Sequence, residues 1–162
     1  MQLFTLDDVE TTQRVGERLA LVLRNPAAYQ EQFAEELAER GVVVALPVQE
    51  LRDLALIDAL LKEELLWESD WKDPTTDLVY GINETLTQQR RAMRLGKPAY
   101  GRAAVTGPEA LDIVQDLAEP VGLALVLFVL DSDSYALSVV ADAQAAEARQ
   151  LAQELGFGVT VY

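Results

Sequence analysis

The sequence predicts an α+β fold. A helical N-terminal part leads into a small mixed sheet of about four strands (65–71, 121–130, 134–140 and 157–161), with one hairpin, packed by helices. Three observations predict it. Apolar residues recur at helical spacing through most of residues 7–62. Val121 to Leu130 is apolar apart from Gly122, as a central strand should be, and a turn-forming Asp131-Ser132-Asp133 leads from it into an alternating segment. Helices also precede strands, with a hairpin among the strands, which argues against a doubly wound α/β arrangement. At 162 residues the chain is read as one domain, with 1–46 as a candidate helical subdomain and 47–162 as the α+β core.

Each element has its own signal. Residues 7–23 open with Asp7, Asp8 and Glu10, acids that suit the positive end of a helix. Asn25 and Pro26 form a cap and first-turn pair for a helix over 26–40, which carries Tyr29, Phe33 and Leu37 on one stripe and stops at Gly41. Pro47 starts a third helix that runs to Lys62. Eight of the eleven residues 51–61 are apolar, so this helix is expected to be central and buried. Arg52, Asp58, Lys62 and Glu63 share its narrow polar face. Asp53 falls among Leu56, Ile57 and Leu60, and is read as a first-turn acid rather than as a carboxylate held for chemistry.

Leu65 to Trp71 alternates with period two, which predicts a strand with Trp71 directed to the core. Asp73 and Pro74 are expected to cap a helix reaching Gln89, with Ile82 and Leu86 on its apolar stripe. Thr106, Pro108 and Glu109 announce another helix, which Pro120 ends. After the central strand, Tyr135, Leu137 and Val139 alternate with Ser134, Ala136 and Ser138, so 121–140 is a hairpin. An Ala-rich helix over 142–155, with Ala148, Leu151, Ala152 and Leu155 inward, stops at Gly156, and Phe157 to Val161 makes a last strand.

Composition narrows the chemistry. The formal net charge is −14, and the chain has neither histidine nor cysteine. This excludes Cys/His zinc sites, thiol nucleophiles, disulfides and imidazole catalysis. An acidic chain repels nucleic-acid phosphates, so general nucleic-acid binding is not expected. The start of the chain lacks a basic region followed by an apolar one, and the longest apolar run is half a membrane span, so a cytoplasmic protein without membrane association is expected. The charge is also uneven. Residues 1–89 hold 18 acids against 7 bases and residues 103–162 hold 9 against 1, while 90–102 holds 5 bases and no acid.

Three constellations could carry chemistry. Asp131 and Asp133, at i and i+2 after a buried strand, could meet a hard cation; Ser134 and Tyr135 follow them. A phosphatase motif would need a downstream Lys, a calcium loop would need Gly and Glu where Ala136 and Asp142 stand, and a glycosyltransferase would need a larger chain. The turn-forming role fits every residue there, so no metal is expected and the two aspartates stay weak metal candidates. Asp70 and Lys72 form the second set, read as a surface ion pair unless the strand order brings them beside the hairpin turn. Arg90, Arg91, Arg94, Lys97 and Arg102, with Tyr100, form the third. This basic loop suits an anionic ligand, but docking onto the chain's own acidic body or a second subunit is the preferred use. No phosphate loop, dinucleotide fingerprint or serine-hydrolase elbow occurs, and no cofactor is expected.

Leu56-Ile57-Asp58-Ala59-Leu60, Asp70-Trp71-Lys72 and Asp133-Ser134-Tyr135 stand in this order. With the run Arg52 to Leu86 and the terminal hairpin, helix and strand, they resemble an uncharacterised bacterial domain-of-unknown-function family of small cytosolic proteins. The resemblance implies a soluble α+β domain and brings no activity, substrate or cofactor. It draws attention to Asp70, Lys72, Asp133 and Tyr135 as neighbours in space. The favoured expectation is a non-enzymatic interaction or binding module with an acidic surface, whose partner is another protein or a second copy. One alternative is a carboxylate-based hydrolase or phosphoryl-chemistry enzyme using Mg²⁺ or Ca²⁺. The other is a binder of small anions through residues 90–102.

Overall fold

The computed structural model describes residues 2–5, 8–130 and 132–162. In chain order it holds α1 (Gln2–Thr5), α2 (Val9–Arg24), α3 (Pro26–Gln32), α4 (Ala34–Glu39), α5 (Val48–Lys62), β1 (Trp67–Asp70), α6 (Thr75–Gln88), α7 (Pro108–Ala118), β2 (Leu123–Phe128), β3 (Ser134–Ala141), α8 (Ala145–Leu155) and β4 (Val159–Val161). Short 3₁₀ turns cover Glu119–Val121 and Asp142–Gln144. The fold is α+β, with helices packed on a four-stranded sheet.

Local chemistry explains most boundaries. Asp8 accepts the Thr11 N–H at 3.0 Å and starts α2. Asn25 ends α2 and accepts the Ala28 N–H at 3.2 Å to start α3, with Pro26 in the first turn. The single helix expected over 26–40 is broken at Phe33, whose ring stacks on Tyr29 and lies under the Arg18 guanidinium, so a tertiary contact holds the break. Gly156 closes α8 in the left-handed conformation (φ 72°), where a side chain would be strained. α8 begins at Ala145 after a 3₁₀ turn, and Leu155 at its end is exposed rather than inward.

The strand order is β1-β3-β2-β4, and every pairing is antiparallel. The expected mixed sheet is therefore corrected. β2 and β3 form the hairpin, with Leu125 opposite Val139. β1 and β4 join its outer edges, each antiparallel to its neighbour, so no parallel pair arises among the described residues. Strand β1 is shorter than the 65–71 segment, because the Leu65 N–H is spent on the Leu60 carbonyl at the end of α5 and Asp70 opens a turn closed by Asp73.

Helices cover both faces of the sheet. Ala124, Val126, Phe128, Ala136 and Val140 pack against α1, α2, α5 and α8, meeting Phe4, Leu19, Ile57, Leu60 and Ala148. Leu123, Leu125, Leu137 and Val139 point the other way, to Leu78, Ile82 and Leu86 of α6 and Leu111 and Val114 of α7. That double cover is why β2 is apolar at every position. A third cluster joins Val22, Tyr29 and Leu37 to Leu51, Leu54 and Ala55, so α5 is buried against the sheet on one side and against α2–α4 on the other. Each fully buried Leu or Ile here contributes about 1.5–3 kcal/mol of hydrophobic stabilisation. No helix among the described residues is long and apolar enough to cross a membrane.

Candidate functional site

The open ends of β1 and β3 bring two of the predicted segments together. Asp70 lies opposite Ser134 and Ser69 opposite Tyr135, and the Trp71 N–H donates to the Asp133 carbonyl at 3.0 Å. Their backbones are neighbours, but their side chains look elsewhere. Asp70 accepts the Lys72 N–H at 2.8 Å. Asp73 accepts the Asp70 N–H at 2.9 Å and the Ser69 hydroxyl at 2.6 Å. Asp73 therefore closes a turn rather than capping α6, whose capping position is Pro74. Trp71 is not in the core: it is 40% exposed and lies beneath the Lys72 ammonium, 5.2 Å from its ring centre. Asp70, Lys72 and Asp133 are exposed and Tyr135 is half-buried. Burial raises the Tyr135 phenol above its ordinary value. Asp131 lies outside the described residues, and among the described residues no cluster of three or more acidic groups is placed to hold a metal ion.

The basic loop is fastened to its own protein. Arg90, at φ 54°, reaches Asp8 at 3.7 Å, and Arg102 pairs with Asp116 at 2.8 Å. Arg94 folds back onto the Met93 carbonyl at 2.7 Å and the Thr87 hydroxyl at 3.0 Å. Arg91 donates to Gln89 at 2.7 Å, and burial pulls its guanidinium below its ordinary pKa. Asn83 holds the middle of the loop, accepting the Leu95 N–H at 2.8 Å and donating to the Leu95 carbonyl at 3.2 Å. Lys97 and Tyr100 stay exposed. Arg90, Arg91, Arg94 and Arg102 thus each take different partners.

Asp53 lies beyond the first turn of α5. It accepts the Gly158 N–H at 2.6 Å and the Gln49 amide at 3.0 Å, tying α5 to the chain entering β4.

The densest electrostatic feature centres on Asp58, which helical periodicity places on a polar face of α5 and the fold buries. Asp58, 8% exposed, sits between Arg18 and Arg40. Arg18 donates to Tyr29 at 2.9 Å and to Glu36 at 2.8 Å, reaches Asp58 at 3.6 Å and stacks 4.1 Å over Phe33. Arg40 bonds Asp58 and also pairs with Glu68 at 2.9 Å, while Lys62 pairs with Glu36 at 3.4 Å. Burial pushes the Asp58 carboxyl above its ordinary value, even with Arg40 and Arg18 pulling it down. Burial also raises the Tyr29 phenol to about 12, so it stays protonated at neutral pH. The network joins α2, α3, α4, α5 and β1. Its sequence signal is an acid at 58 set within the apolar run Leu54 to Leu61 of that helix.

Clefts open around this region, one of them lined by Glu36, Arg40, Asp58, Lys62 and Glu68 of the network itself. A polar one of about 650 Å³ is lined by Asp8, Thr11, Lys62, Glu63, Gln88 and Arg90, among others. There Arg14 grips Glu63 through two bonds, at 2.8 and 2.7 Å, and holds its carboxyl below the usual range. A more apolar one of about 340 Å³ is lined by Val42, Leu46, Leu54, Val129 and Leu130, with Glu50 and Asp53 at its side.

The whole chain, residues 1–162, matches the family described as Domain of unknown function (DUF6630). The chain belongs to that family. Its description assigns no activity, consistent with the resemblance read from the IDAL, DWK and DSY segments. No curated protein and no solved structure matches the chain significantly.

Proposed function

We propose that this protein is a non-enzymatic interaction module whose acidic surface receives a positively charged partner protein. The observation that carries this reading is how the charges are distributed. Among the described residues the ion pairs engage Arg14, Arg18, Arg40, Lys62, Arg90 and Arg102, and Arg149 is held by the Val161 and Tyr162 carbonyls. Those pairs engage seven acids: Asp8, Glu10, Glu36, Asp58, Glu63, Glu68 and Asp116. Of the 25 acids among the described residues 18 are exposed, Glu31, Glu35, Asp77 and Glu84 among them, so most carboxylates face solvent. Such a surface steers a basic partner and rejects acidic ones.

The side chains proposed for catalysis support the same reading. Asp70 and Asp73 act within a turn, Lys72 rests on Trp71, and Asp133, whose carbonyl accepts the Trp71 N–H, is exposed. The test is quantitative co-purification from cells that make the protein, at low and at high salt. A basic partner recovered at low salt and released at high salt is expected. Recovery of no basic partner at low salt and near-native concentration overturns the proposal.

A further inference from the structure

The acidic surface has one place where apolar surface is exposed as well. Val42 to Pro47 connects α4 to α5 without regular structure, yet it holds three consecutive valines, the residues best suited to a strand. Val43 is 82% exposed and Val44 68%, and Val48 and Val129 are also exposed. Val42 and Leu46 form one wall of the 340 Å³ groove; Val129 and Leu130, at the end of β2, form another. Scattered surface valines need no explanation. A groove whose apolar wall continues into a run of exposed valines is the kind of patch that marks an interface.

The backbone of this segment is also unspent. Val42 N–H donates to the Leu37 carbonyl, and the Val44 carbonyl accepts the Gln30 amide at 3.1 Å. Among the described residues, the N–H groups of Val43, Val44 and Ala45 make no backbone hydrogen bond. The chain bends at Val44, so these N–H groups offer single donors to a ligand rather than the edge of a strand.

Charge decides what such a strand would be. Glu39 ends α4 just before the segment and Glu50 lies in the first turn of α5 just after it; both are exposed and outside the ion pairs among the described residues. Asp53 lines the groove, while the cation there, Arg40, is turned to Asp58 and Glu68. The free charge around the apolar wall is therefore negative. A second copy of a chain with net charge −14 would be repelled by it.

We infer that Val42–Val48 and the adjoining groove dock an extended basic segment of another protein. An apolar side chain of that segment enters the groove, and flanking Lys or Arg residues meet Glu39 and Glu50. The inference rests on the interaction-module reading and gives it a location. The probe is a labelled peptide of alternating Lys and Val, titrated at physiological and at low salt with backbone-amide NMR. Shift changes are expected at 42–48 and 129–130. V43S/V44S, at two exposed positions that leave the charge unchanged, is expected to weaken binding about tenfold. E147K/E154K, a charge reversal on α8, is expected to leave the shift pattern at 42–48 in place.

Equal binding by V43S/V44S and the parent, with shifts spread over other acidic faces, overturns the docking site while leaving the acidic-surface reading intact. No binding to any face at low salt overturns that underlying reading. Self-association that V43S/V44S abolishes, seen by sedimentation without peptide, shows that a second copy fills the groove and overturns the inferred partner.

Discussion

Arg18→Met removes the centre of the buried ionic network while keeping a side chain of similar length. Arg18 is almost wholly buried, with 7% of its side chain exposed, and makes three polar contacts, to Tyr29, Glu36 and Asp58. After the change Tyr29 loses its donor, Glu36 keeps only Lys62, and Asp58 keeps only Arg40. Breaking a buried pair by removing one partner costs roughly 3–5 kcal/mol. Because Arg40 and Lys62 remain, the lower end applies, about 3 kcal/mol. For a domain of this size that lowers Tm by roughly 6–12 °C. The assay is urea and thermal unfolding followed by circular dichroism, with Arg18→Lys alongside. Lysine keeps the charge but lacks the planar fork that reaches Tyr29 through Nε and Glu36 through Nη1 and lies over Phe33, so it is expected to fall between parent and Met. A Met variant within about 0.5 kcal/mol of the parent, the range of an ordinary surface substitution, refutes the view that this network holds α2–α5 together.

Two further predictions concern other parts of the fold. A methyl group added at Gly81 would sit 2.2 Å from the Trp67 ring, so G81A must displace the indole from α6. Destabilisation of about 1–3 kcal/mol and altered tryptophan fluorescence are expected, and an unchanged Tm contradicts the close packing. Arg14 holds the Glu63 carboxyl below its unfolded value, so this pair stabilises the protein above the ordinary glutamate range and loses its effect as pH falls through the lowered folded value. E63Q removes that contribution, and the stability gap between parent and variant is expected to close as pH is lowered; a gap constant across pH 3 to 7, about the span of carboxylate titration, shows that Glu63 acts through packing alone.

Much of the fold was legible because local chemistry and burial agree. Asn25-Pro26 marks a helix start wherever it stands, since the side chain serves a free N–H and proline gives one up. Val121–Leu130 is apolar on both faces because helices cover both faces of β2. The misreadings fall where a tertiary contact outweighs the local signal. Phe33 has helical neighbours but is held by Tyr29 and Arg18. Trp71 continues the alternation of Leu65, Trp67 and Ser69 but lies past the strand end, beneath Lys72. Asp73 stands where a cap belongs, yet serves Ser69 and Asp70 instead. The candidate residues divide the same way. The β1–β3 register sets Asp70 opposite Ser134, next to Asp133. Their side-chain directions belong to the turn and could not be read from spacing.

From the sequence alone came the α+β class, the hairpin, the central α5 helix and the exclusion of imidazole and thiol chemistry. These depend on residue type and periodicity, which act over a few positions. The tertiary structure alone decided that the sheet is antiparallel throughout. It alone placed Asp58 between two arginines 40 and 18 residues away in the chain, and set the exposed valines beside an acidic rim. Strand order and ion pairing join residues far apart in the chain, and their energies depend on the burial that only the folded arrangement creates.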